Sequence, residues 1–268
     1  MRVFRSGLRK LVRRPASWVS LALMLALLAL VFLAVGASAR QLQSQEGGGD
    51  ALLLVTFPNA YELVLGFILG LGGLLAVLYG AAIAGSEWTW GTLKSAVARG
   101  EGRSTYILGT YAAVALVLGV ALLVAYAFGL VAAILGATLA GVSTAGLSDS
   151  ATLGSLPEGL GRAWVALAEQ AAIGFAIATI TRSQIAGIGV GIALYFGEQF
   201  GALFIGDIVK WFPFNAANAA VVFGPTVSSN GQAVPTLEPN VALVVVVAWL
   251  AGALLVASLF TERAEISG

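Results

Sequence analysis

Residues 104–148 read STYILGTYAAVALVLGVALLVAYAFGLVAAILGATLAGVSTAGLS, and these 45 positions hold no charged side chain. As one helix they would extend roughly 67 Å at 1.5 Å per residue, well beyond the roughly 30 Å of a hydrocarbon core. Whether the run crosses a membrane once or twice decides the topology of everything after it. Beyond Gly136 the composition turns to Gly, Ser, Thr and Ala, which reads as a loop or a short surface helix. The sequence therefore predicts one span over 105–135 that protrudes from the membrane.

Five further apolar runs flank it: 17–37 and 59–84 before, and 160–180, 184–205 and 241–260 after. With 59% hydrophobic and 10% charged residues and a mean hydropathy of +0.94, the 268-residue chain has the composition of a membrane protein. The placement of Lys and Arg orients the spans. With the N-terminus in the cytoplasm, six crossings put Arg2, Arg5, Arg9, Lys10, Arg13, Arg14, Lys94, Arg99, Arg103, Arg182 and Arg263 inside, eleven of the 14 basic residues. Arg40, Arg162 and Lys210 fall outside. A second crossing within 104–148 would carry Arg182 and Arg263 to the wrong side. The expected fold is one all-α transmembrane domain over 1–268, multi-pass in the cell (cytoplasmic) membrane, with both termini cytoplasmic.

Residues 1–14 alternate six basic side chains with Val3, Phe4, Leu8, Leu11 and Val12 at helical spacing. This pattern suits an amphipathic helix on an anionic inner leaflet, ended by Pro15. A secretory signal is the competing reading, since Ala37-Ser38-Ala39 imitates a cleavage site. The apolar run from Trp18 to Val35 is longer than the usual signal core and weighs against it. Gly47-Gly48-Gly49 reads as a flexible joint in the polar stretch from Arg40 to Asp50. Pro157 and Gly159 should precede the fourth span, Thr181-Arg182-Ser183 should be a tight turn, and 215–223 can form a short helix.

The chain has no Cys and no His. Disulfides, thiolate metal sites and the commonest general base and metal ligand are thereby removed, and Ser-His or zinc-site intramembrane proteolysis with them. A net charge of +1 does not provide the clustered basic surface of a nucleic-acid binder. No Gly-x-x-x-x-Gly-Lys-[Ser/Thr] phosphate loop is present, and no carboxylate pair has the spacing of a metal-dependent lipid transferase. No catalytic or metal site is expected, and the chain is not read as an enzyme.

The longest polar interruption in the first half is 85–103, GSEWTWGTLKSAVARGEGR. Thr92 can cap a short helix there, Leu93, Ala96 and Val97 fall on one helical face, and Gly100 suits the stop. Trp88 and Trp90 read as bilayer-surface anchors. Glu87 followed by Gly91-Thr92-Leu93-Lys94, with a basic residue near the next span, resembles the first cytoplasmic loop of ABC-2 type permeases, the drug-, peptide- and cation-export group. The resemblance implies a coupling helix that docks on a separate ATP-hydrolysing subunit. Carried onto this chain, the coupling residues are Glu87, Gly91, Thr92, Leu93, Lys94, Val97, Arg99 and Arg103. It further implies two ABC-type ATPase subunits per complex, which hold the ATP and Mg, and a second permease subunit, identical or similar. Spans 1 and 5 would lie near the dimer axis.

Two acids fall within spans, Glu169 and Glu198, and mark a possible translocation pathway or a structural hydrogen bond or ion pair, Arg162 being the candidate partner of Glu169. Glu62 reads as interfacial. The pairs Gly66/Gly70, Gly187/Gly191 and Gly197/Gly201 mark close helix approach, within the chain or at a subunit interface. Two other readings compete with an exporter permease. A secondary transporter without an ATPase predicts internal repeats with interrupted spans, and no convincing repeat is present. A structural or receptor-like membrane protein leaves the amphipathic loop unexplained.

Overall fold

A backbone taken out of water must satisfy its own N–H and C=O groups, and a helix does so within a single segment. The apolar runs accordingly become helices. The computed structural model describes residues 2–39, 41, 48–221 and 236–264, and no strand occurs among them. Six helices are long and apolar enough to cross a membrane, making this an all-α polytopic membrane protein. The helices are α1 (Arg2–Arg13), α2 (Pro15–Ala37), α3 (Asn59–Thr89), α4 (Thr92–Ala98), α5 (Arg103–Ala140), α6 (Ser150–Thr181), α7 (Gln184–Val209), α8 (Pro213–Val221) and α9 (Pro239–Arg263). Gly48 and Gly49 open a short helix to Leu52 rather than a flexible joint, while Arg40, Gly47 and Phe223 lie outside the described residues.

The 104–148 run forms one continuous helix long enough to cross a membrane, α5, followed by a short turn. At one end of α5, Arg103 donates to the carbonyls of Glu262 (2.9 Å) and Ala264 (2.7 Å) at the end of α9. Beyond its other end, Tyr61 near the start of α3 donates to the Leu147 carbonyl at 2.9 Å. The α1 side of the bundle therefore also carries Arg103, Arg182 and Arg263, with Arg182 stacked 5.2 Å over Trp88. We call this the basic end. Arg162 and Lys210 lie at the opposite end, beside Glu158 and Asp207 respectively.

Several helices outrun their predicted spans, each for a local reason. α5 continues from the predicted 135 to Ala140 because Gly136 lets the helix press onto α2: a Cβ there would overlap the Phe32 carbonyl. Gly141, at φ +69°, then ends it in the left-handed region that glycine tolerates. α6 begins at Ser150 rather than 160, because Asp149 caps it, accepting from the Thr152 N–H at 2.9 Å. Pro157 thus sits inside α6 instead of preceding it. Pro15 opens α2 at a position where its missing N–H costs nothing. α7 bends at Ile205 (φ −133°, ψ 44°) and runs to Val209.

α6 is the central helix. All residues from Ala166 to Ala176 on it are buried, and it packs along α3, α9, α7, α8 and α5. The helices α2, α7 and α9 instead turn large apolar side chains outward, among them Trp18, Leu30, Phe200, Phe204, Val244 and Leu255. Outward apolar faces suit a lipid surround. The α3–α6 crossing is backbone-close: a Cβ on Gly80 would overlap the Ala171 carbonyl, and one on Gly174 the Val77 carbonyl. Of the Gly-x-x-x-Gly pairs, Gly187 and Gly191 pack within the chain, on Ala178 and Val77. Gly66, Gly70 and Gly197 have open space where a Cβ would stand, and Gly201 faces Val209.

Candidate functional site

The basic end is assembled around Glu87. α3 does not stop at the predicted 84 but continues through Thr89, which carries Ser86 and Glu87 inside the protein. Glu87 has no exposed surface, and a buried carboxylate is costly unless it is paired and hydrogen-bonded. Its partners come from three other helices. Lys10 of α1 donates to Oε1, and Thr92 of α4 donates to Oε2. Tyr106 of α5 donates to Oε2 at 2.6 Å. Arg14 stands 3.7 Å from Oε1, within ion-pair reach, and donates through Nη1 to the Ser86 hydroxyl at 2.8 Å. One side chain thus ties together α1, α3, α4 and α5.

α4 is a short helix, as its amphipathic spacing predicts, and Gly100 ends it at φ +87°. Two details differ from the sequence reading. The residue before the helix is Gly91, at φ +62°, so Thr92 is its first residue and spends its hydroxyl on Glu87 instead of capping a backbone N–H. Leu93 and Ala96 are each only 1% exposed, and Val97 is half-buried against the same core. This apolar face is therefore covered by the chain itself and is not free to enter a groove on another protein. What α4 and its approach turn outward is Trp90, Lys94, Ser95, Ala98 and Arg99. Arg103 does not join this surface, because its guanidinium binds the end of α9. Glu262 returns the link by accepting from the Ser104 N–H at 3.1 Å. The two tryptophans carry cations on their rings: Arg14 lies 4.9 Å over Trp90, and Arg182 lies over Trp88.

Of the predicted coupling residues, Glu87 and Thr92 meet directly, Leu93 and Val97 seat the helix, Gly91 turns the chain, and Lys94 and Arg99 face outward. The sequence reading missed Lys10, Arg14, Ser86 and Tyr106. A signal for Lys10 existed: with Val3 and Gly7 it falls at i, i+4 and i+7, on the packed face of α1 rather than with Arg5, Arg9 and Arg13.

The two acids in the spans have separate fates. Glu198 accepts from the N–H groups of Phe214 (3.0 Å) and Asn215 (3.2 Å) and from the Asn215 side chain (3.3 Å). It caps α8, whose residues Phe214, Ala216, Ala217 and Ala220 are fully buried. Its position is that of a structural group. Glu169 is fully buried at the middle of α6, and neither oxygen has a hydrogen-bond partner among the described residues. Arg162 is not its partner: that guanidinium binds Glu158, Asn240 and the Ala220 carbonyl. Among the described residues no group of three or more acids could hold a metal. Glu62 is exposed near the start of α3, in keeping with an interfacial position.

The chain matches no protein-family model and no curated protein.

Proposed function

We propose that this chain is the transmembrane permease subunit of an ATP-binding cassette exporter. The observation that carries the reading is α4, a short helix between two membrane-crossing helices, set at the basic end and wired through Glu87 to α1, α3 and α5. Such a helix presents a rigid surface to a partner and passes its displacement to the helices it joins. The surface offered is Trp90, Lys94, Ser95, Ala98 and Arg99, not the apolar face that packs inward. A motor subunit that closes on ATP and Mg would push α4 and move α3 and α5 with it. In this reading two such chains, identical or similar, line the pathway in the cell membrane, two ATPases sit at the cytoplasmic basic end, and both termini are cytoplasmic.

The test is co-purification in a gentle detergent from cells that make the protein at natural levels. An ABC-type ATPase is expected to come with the wild-type chain. Lys94→Glu with Arg99→Glu should weaken that association roughly tenfold or more, a cost of about 1.4 kcal/mol or above. Recovery of the chain without any such ATPase sinks the proposal. One observation favours the second reading, a secondary transporter: Glu169 is a buried carboxyl without a hydrogen-bond partner among the described residues, able to take up a proton or cation. Transport driven by an ion gradient in vesicles without ATP, lost in Glu169→Gln, would select it.

A further inference from the structure

α1 has two faces with different occupants. The inner face packs on the flank of α5, with Gly7 against Ala113, Val3 against Gly109, and Leu11 buried. It also sends Lys10 to Glu87. The outer face carries Arg5, Arg9 and Arg13 at i, i+4 and i+8, all exposed, together with Val12 at 49% exposure. Among the described residues no carboxylate lies within ion-pair distance of these three arginines.

The level of this face along the bundle identifies what covers it. α5 has 38 residues, so roughly 57 Å of helix, and roughly 27 Å of it stands outside a hydrocarbon core of 30 Å. The α1 contacts fall on Gly109 and Ala113, roughly 9–15 Å from the start of α5. With the excess length shared equally between the two ends, about 13 Å at each, these contacts fall at the level of the headgroup layer. Trp18, 60% exposed one turn into α2, marks the same level from the neighbouring helix, since Trp concentrates at the membrane interface. Three arginines spaced along one face, with an exposed Val beside them, complement phosphate groups above acyl chains.

We infer that the outer face of α1 binds anionic phospholipid headgroups, and that this binding keeps α4 seated on the bundle through the Lys10–Glu87–Thr92 link. The physical route is short. Headgroups that hold Arg5, Arg9 and Arg13 hold α1 against α5, and α1 in that place keeps Lys10 on Glu87. Glu87 in turn positions Thr92, the first residue of α4. Without anionic lipid, six like charges within residues 2–14 repel one another with Glu87 as the only carboxylate paired to them among the described residues, so α1 leaves its seat more often and α4 with it.

The chain has no Cys, so a single reporter can be placed at Ala96→Cys, a position on α4 that is 1% exposed and reacts only when α4 lifts. The purified full chain is reconstituted in nanodiscs of phosphatidylcholine, with or without phosphatidylglycerol, and thiol labelling is timed. Labelling is expected to be several-fold slower with phosphatidylglycerol, and the difference should shrink at high salt. Arg5→Gln/Arg9→Gln/Arg13→Gln should abolish the lipid difference, and the matching triple Lys variant should keep it. Native mass spectrometry should find phosphatidylglycerol retained by wild type and not by the Gln triple. Lys10→Gln should retain the lipid yet label fast in both discs. Equal labelling of the wild-type reporter in the two discs overturns the inference. A lipid difference that persists in the Gln triple removes these arginines from it, and one that persists in Lys10→Gln removes the Glu87 route. No ATPase is present in any arm, so this outcome and that of the proposed function are independent.

Discussion

A carboxylate without exposed surface, answered by an ammonium, a phenol and a hydroxyl from three other helices, makes Glu87 the side chain on which the basic end depends. Glu87→Gln keeps the shape but leaves Lys10 and Arg14 facing a neutral amide. Removing one partner of a buried pair strands the other, and we expect a loss of about 3 kcal/mol, the lower end of the usual range because Lys10 is partly exposed. Lys10→Met alone should also destabilise, whereas the double variant should recover part of the loss, since Lys10 is then no longer stranded and only Arg14 still faces the amide. Thermal unfolding in detergent reads all three, and strict additivity would show that the pair does not hold the site. Leu93→Asp buries an unpaired charge in the chain's own core, so it should unseat α4 rather than merely weaken a docked partner. The position of Glu87 beside a short helix was legible in the sequence. Its distant partners were not, because they lie 77 residues before it in Lys10 and 19 residues after it in Tyr106, and no local pattern reports such distances.

Among the elements, the α3–α6 crossing is backbone-close and depends on glycines whose Cβ positions are already occupied. Helix propensity alone would make Gly174→Ala stabilising by about 1 kcal/mol. The Val77 carbonyl fills that space, so the variant should instead lose about 1–3 kcal/mol, and Gly80→Ala should behave alike against Ala171. Gly66→Ala, with open space in front of it, should be neutral or slightly stabilising in the same unfolding assay. A comparable loss in Gly66→Ala would show that its face is covered by something besides this chain. Spacing says only part of this, for a physical reason. Gly-x-x-x-Gly tells which glycines share a helical face but not what that face meets. Gly187 and Gly191 met a neighbouring helix, while Gly66 and Gly70 face open space. Gly80 and Gly174 belong to no such pair and carry a backbone-close crossing. Helix ends were missed for a related reason: Asp149 extends α6 by a cap, and Gly136 extends α5 by a contact, neither of which hydropathy registers.

For the molecule as a whole, charge placement and span length carried the all-α, six-helix reading, because bilayer thickness and backbone satisfaction leave few alternatives. Because α5 is one unbroken helix, Ser95 and Ser183 stand at the basic end and Ser148 at the other. Ser95→Cys and Ser183→Cys are expected to react with an impermeant maleimide only from the cytoplasm, and Ser148→Cys only from outside. The reagent is added to intact and to permeabilised cells. Labelling of Ser183→Cys and Ser148→Cys from the same side would break the topology. Ser229, a fourth reporter suggested by the sequence, lies outside the described residues. The Glu87 cluster also has a consequence for how the chain is born. Synthesis proceeds from the N-terminus, so α1 has left the ribosome long before α3 is laid into the bilayer. When Glu87 emerges, Lys10 and Arg14 are already waiting, and the carboxylate need not linger in lipid uncompensated. A ribosome that started after residue 14 would deliver the same acid to a membrane with no cation from α1 to receive it.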